Sequence, residues 1–193
     1  SLTSAPHERY VAITIKEEPY VAGKSKYPPL LSAFLVRDVR VGQRMVITGF
    51  TGPYTLPDDV EARTDHLVHL VAGSGAVPNF SILKHCLHQN LKLRHTFVYS
   101  NKTYEDICFR RELDLLEEKY PDQLRVIHAL TREKNEARFG PKIRRGRVSV
   151  DLLRELMGEP ARCLVYACGP AITSYERMEA RKVGVVPEPR SLE

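Results

Sequence analysis

Gly73-Ser74-Gly75, set between the apolar run Leu67-Val68-His69-Leu70-Val71-Ala72 and Pro78, has a spacing that suits phosphate chemistry. A buried strand, a tight glycine turn and a helix opening at Pro78 would aim backbone N–H groups and the positive end of a helix at whatever rests on the turn. The run is a relative of the dinucleotide fingerprint rather than the fingerprint itself, because Pro78 stands where its third glycine would be. Ser100-Asn101-Lys102, Thr131-Arg132 and Cys168-Gly169-Pro170 close later apolar runs in the same way. A site selective for NAD wants Asp or Glu near the second strand end, on the ribose hydroxyls. Ser100, Asn101 and Lys102 stand there instead, so a 2′-phosphate is not repelled and Lys102 could pair with it. Arg132 adds a guanidinium, the group best shaped to fork a phosphate, beside the Thr131 hydroxyl. Together these residues favour NADPH, with NAD as the alternative. No local His arrangement marks Cys168 as a nucleophile. Its role is read as steric: a small side chain beside a flat ring, with Gly169 allowing close approach.

Such groups meet only if strands and helices alternate. From residue 66 they do. Strands are expected at 67–72, 96–99, 124–130 and 163–167. Helices are expected at 78–90, with Ile82, Leu83, Cys86 and Leu87 on one face, and at 105–119, with Phe109, Leu113, Leu116 and Tyr120. Another is capped by Ser149 and stopped by Gly158, and a last one spans 171–182. This alternation implies a parallel sheet covered on both faces, with its ligand crevice at the carboxyl ends of the strands. Residues 1–60 read differently. Val11, Ile13 and Ile15 alternate as a half-buried strand, and a second short strand is expected at 44–48, before Gly49 and Gly52-Pro53. A helical turn is expected at 30–35, after Pro28-Pro29, and a linker at 56–65.

At 193 residues and net charge +5, the chain has room for one domain or two small ones and a mild preference for anionic ligands. No apolar run is long enough to span a membrane and no leader-like segment opens the chain, so the expected location is cytoplasmic, with no membrane partner. The spacing of Cys86, Cys108, Cys163 and Cys168 matches no zinc or iron–sulfur motif, so no metal is expected. The basic run Lys142-Ile143-Arg144-Arg145-Gly146-Arg147 reads as a solvated loop; without interleaved aromatics it does not suggest nucleic acid.

Gly73-Ser74-Gly75-Ala76-Val77-Pro78, Tyr99-Ser100-Asn101-Lys102-Thr103, Thr131-Arg132-Glu133 and Cys168-Gly169-Pro170, in this order, resemble the pyridine-nucleotide domain of ferredoxin–NADP reductase-like flavoproteins. Ser1-Leu2-Thr3-Ser4 is similar to the tail of that family's flavin motif, and Ile15-Lys16 to its next strand. Leu30-Leu31-Ser32 resembles the turn that holds the FAD pyrophosphate, and Gly49-Phe50-Thr51-Gly52 the turn that closes the flavin barrel. The resemblance implies an α/β fold: a doubly wound parallel-sheet NAD(P)-binding domain at 66–193, preceded by part of an antiparallel β-barrel FAD domain at 1–60. It implies hydride transfer from NADPH to FAD, then single electrons to a ferredoxin or other iron–sulfur carrier, as in the reductase component of an oxygenase. Ser1, Leu2, Thr3, Ile15, Lys16, Leu30, Leu31, Ser32 and Ser74 would contact FAD. Gly73, Ser74, Gly75, Ser100, Asn101, Lys102, Thr131, Arg132, Arg144, Cys168, Gly169 and Pro170 would contact NADP. Ser1 and Cys168 would flank the transfer site.

The chain begins at the Ser of the flavin motif, without its Arg and Tyr, and Pro29 replaces the Gly of the pyrophosphate turn. These departures read as a fragment of a longer reductase, expected to bind FAD weakly by itself. A nucleotide-binding module without flavin and a conventional NAD-dependent dehydrogenase stay open as alternatives.

Overall fold

The computed structural model describes residues 1–17, 31–170 and 174–186. Its centre is a parallel sheet made of β1 (His66–Ala72), β2 (Arg94–Asn101), β3 (Leu124–Leu130), β4 (Ile143–Arg145) and β5 (Cys163–Cys168), in the order β4-β3-β2-β1-β5. β1 and β2 are buried on both faces, which is why they read as near-continuous runs rather than alternations. The helices, in chain order, are α1 (Ser32–Arg37), α2 (Val60–Arg63), α3 (Ala76–His88), α4 (Arg110–Lys119), α5 (Val150–Met157) and α6 (Ser174–Lys182). α3 and α4 cover one face, where Phe80, Leu83 and Leu113 meet Val71, Phe97 and Tyr99. α5 covers the other, setting Leu152, Leu153 and Leu156 on Val98 and Ile127. Its start is capped as expected, the Ser149 hydroxyl accepting from the Leu152 N–H at 3.1 Å. Gly158, at φ +67°, takes the left-handed turn that ends it.

Several sequence expectations need correction. α3 begins at Ala76, ahead of Pro78. Pro78 occupies the first turn, where its missing N–H would have had no helical partner. The helix expected at 105–119 is broken. Tyr104–Asp106 form a separate turn closed by a Thr103–Asp106 capping box, and Phe109 turns left-handed at φ +58° before α4. The basic run at 142–147 is not a free loop. Its Ile143–Arg145 segment is the edge strand β4 on β3, and Lys142, Arg144 and Arg145 pair with Glu117, Glu155 and Glu136. The expected linker carries α2, whose Val60 is buried under the sheet edge.

The expected strands of the first region do not form among the described residues. Residues 44–48 carry no strand, and residues 11–15 contribute only an isolated antiparallel bridge between Leu2 and Ile13. A strand needs a neighbour for its N–H and C=O groups, and among the described residues none continues beyond that bridge. The helical turn near 30–35 is present as α1, which begins at Ser32.

Candidate functional site

From β1 the chain winds outward through β2, β3 and β4, then crosses back to lay β5 on the other side of β1. The carboxyl ends of β1 and β5 therefore form the switch point at which doubly wound sheets open a crevice. The Gly73–Gly75 turn leaves β1 there. Gly73 has φ +52° and open space where a side chain would stand. Tyr99 on β2 donates its hydroxyl to the Gly73 carbonyl at 2.8 Å, and the Ala76 N–H donates back to the Gly73 and Ser74 carbonyls.

Gly75 also serves packing. A Cβ there would lie 2.1 Å from the carbonyl oxygen of Cys168, so its missing side chain lets the turn pack on β5.

A cleft of about 800 Å³ lies over this junction. It brings together the Gly73-Ser74-Gly75 turn, Asn101 and Lys102 from the end of β2, and Cys168, Gly169 and Pro170 from the end of β5. Ser1, Ile15 and Lys16 reach it from the first region. Lys16 and Lys102 give it positive charge, and both act on Asp106 in its wall. The Asp106 carboxyl is held below the usual carboxylate range, first by the Thr103 hydroxyl and then by the Thr103 N–H and these lysines. Asn101 is buried at 3% exposure, and its amide nitrogen has no partner. Burial pushes the Cys168 thiol up, which keeps it protonated at neutral pH.

Other expected residues lie outside the cleft. Ser100 is fully buried beneath the sheet end, its hydroxyl unpartnered. Thr131 and exposed Arg132 follow β3 beside the cleft; their N–H groups donate to the Asn101 and Lys102 carbonyls at 3.0 and 2.7 Å. Arg144, on β4, is not among the residues that line the cleft, and it pairs with Glu155 at 3.2 Å. Leu2 is half-buried, and Thr3 is turned inward, its hydroxyl 2.7 Å from that of Thr14. Leu31 and Ser32 sit at the start of α1, away from the cleft. Leu30 lies outside the described residues, as does Pro29.

Sequence reasoning missed Asp106, whose capping motif with Thr103 was legible, and the polar group Tyr54, His69, Asn79 and His95 behind the turn. Its one signal was His69 within an otherwise apolar strand.

Sheet order, switch-point turn and basic cleft define a nucleotide-binding α/β domain. Residues 70–175 match the oxidoreductase NAD-binding domain family, and the chain belongs to it. It is 27% identical over 166 residues to NADH-cytochrome b5 reductase 2 of Coccidioides immitis, an overlap of 83% of this chain and 49% of that protein. The chain spans about half the length of the curated relatives it matches. Its fold is similar to ferredoxin-NADP+ reductase from Plasmodium falciparum, with a TM-score of 0.62 at 18% identity over 97% of this chain and 71% of that one. It is similar also to the CS-b5R domains of human Ncb5or, with a TM-score of 0.57 at 24% identity over 84% and 45% of the two chains.

Proposed function

We propose that this chain is the nucleotide-binding part, with an adjoining flavin-contacting segment, of a flavin-dependent NAD(P)H oxidoreductase. The switch-point cleft carries this reading, because one surface there joins the glycine turn, the β2 and β5 ends and residues of the first region. A dinucleotide fits the residues present. Gly73 leaves space above the turn, Lys16 and Lys102 face phosphates, and Asn101 offers an unpaired amide N–H. Ser1, Ile15 and Lys16 border the same cleft, on the side that the resemblance gives to FAD, and residues 1–60 are proposed as the flavin-barrel portion. FAD, when bound, supplies the hydride acceptor and releases electrons singly. The chain's own residues bind, orient and exclude water: Ser74 and Ser1 offer hydroxyls, and Cys168 keeps the β5 end thin.

We infer a preference for NADPH, supported by Lys102 in the cleft wall and Arg132 beside it where an acidic ribose anchor would otherwise stand. For the electron acceptor, the relatives named for cytochrome b5 favour a b5-type haem carrier over the ferredoxin or iron–sulfur partner that the resemblance implied.

The test is calorimetric titration of NADPH and NADH. NADPH is expected to bind about tenfold to a hundredfold more tightly, from charge-assisted bonds worth roughly 1.5–3 kcal/mol. Arg132→Ala should remove most of that difference and leave NADH nearly unchanged. Equal wild-type affinities overturn the NADPH preference. In protein that has taken up FAD, failure of NADPH to bleach it overturns the oxidoreductase and leaves a nucleotide-binding module.

A further inference from the structure

Behind the glycine turn runs a line of buried polar groups with no part in holding a nucleotide. Asn79, fully buried in the first turns of α3, faces the turn, the sheet and the segment before the sheet. Its amide nitrogen donates to the Tyr54 hydroxyl at 2.8 Å and lies 3.4 Å from the Gly75 carbonyl. Its amide oxygen is 2.9 Å from Nδ1 of His69. Nε2 of His69 is 3.2 Å from Nδ1 of His95, and Nε2 of His95 has no partner.

This geometry allows one polarity. The Gly75 carbonyl can only accept, so the Asn79 NH2 group must point at the turn and its oxygen at His69. His69 then carries its proton on Nδ1 and presents an Nε2 lone pair, which accepts from Nδ1–H of His95. Both histidines are neutral in this arrangement. Burial agrees, holding His69 down to about 4 and His95 to about 3.

The relay ends on Tyr54, whose segment is fastened a second time. The Tyr166 hydroxyl on β5 donates to the Thr55 carbonyl at 2.9 Å, and the two tyrosine rings meet edge to face at 5.4 Å. α3 also holds the chain's first residues, through Ser81 on the Ser4 carbonyl at 2.7 Å and Lys84 on Glu8. One helix thus carries the glycine turn at its start and, along its length, both ends of the first region.

We propose that Asn79 is a positioning residue that, through this polarised relay, sets the Tyr54 segment in register with the nucleotide turn. The inference rests on the oxidoreductase reading for its kinetic consequence, because hydride transfer requires the flavin-contacting region and the nucleotide turn to be held at a fixed separation. It stands apart from that reading in its structural consequence, the fixed tautomers.

The experiment uses the intact protein. Long-range 1H–15N spectra at pH 7 should show His69 and His95 each as a single Nδ1–H tautomer, and Asn79→Leu should give mixed tautomers. Tyr54→Phe, at a half-exposed position that spares the fold, should slow NADPH-driven bleaching of FAD in stopped flow by about tenfold. Its calorimetric Kd for NADPH should stay within about twofold of wild type, since Tyr54 lines no part of the cleft. An Nε2–H tautomer in the wild type, an unchanged bleaching rate, or a Kd that weakens in step with the rate overturns the proposal. A wild-type protein that holds FAD which NADPH does not bleach counts against the oxidoreductase reading instead, and where FAD is not held the tautomers alone decide the relay.

Discussion

The sheet-bearing region and the segment before it use similar apolar residues to opposite effect. Phe97, Val98 and Leu67 are fully buried between helices and neighbouring strands. Val41, Val46, Ile47 and Phe50 are exposed, Val46 at 88%. The alternation that suggested a strand at 11–15 is as good as that of many real strands, yet no ladder forms there or at 44–48 among the described residues. An apolar pattern states a need for a partner and does not supply one. In the sheet region each strand's partner is another strand of the same unit, so the need is met internally.

The largest expected contrast between the regions is with pH. His69, His95 and His128 are buried neutral in the sheet, and burial lowers their values to about 4, 3 and 4. The unfolded chain takes up protons below about 6.5 while the folded sheet does not, so stability is full above that value and falls as pH drops toward 4. At pH 5 the loss is roughly 2 kcal/mol per histidine, about 6 kcal/mol in all. Urea melts followed by circular dichroism at pH 7 and pH 5 measure it; coincident curves would mean that the histidines are not held neutral.

Core truncation should separate the regions next. Phe97→Ala is expected to cost about 3–5 kcal/mol in the same melts, whereas Val46→Ala should stay within about 0.5 kcal/mol. Comparable losses at the two positions would show that residues 41–50 are packed after all.

A smaller effect is expected at the turn. Gly75→Ala places a methyl group against the Cys168 carbonyl and should destabilise by roughly 1–3 kcal/mol, loosening β5 from the turn and weakening NADPH binding with it. Gly73→Ala meets open space and costs only its left-handed backbone, about 1 kcal/mol. Melting temperatures that rank the two the other way would contradict the packing assigned to Gly75.

Much of the sheet region was legible in the residues because its signals are local. The strand at 124–130, the Ser149 cap, the Gly158 stop and the glycine turn depend on periodicity and on backbone freedom within a few residues. The switch-point cleft was legible as far as Gly73, Ser74, Asn101, Lys102 and Cys168, since strand ends in an alternating pattern share one edge. Ile143–Arg145 was hidden because a three-residue edge strand is defined by its pairing with β3 and not by its own composition. The packing need at Gly75 was hidden because the atom that forbids a side chain there belongs to Cys168, far along the chain. The Asn79 relay was invisible for the same reason: its members lie on a segment, two strands and a helix that meet only once the sheet is ordered β4-β3-β2-β1-β5. Sequence alone determined the elements whose signals are local and which loops carry glycine, hydroxyl and cationic groups. The tertiary structure decided which of those groups touch, because contacts between distant residues follow from strand order and packing, which no local pattern encodes.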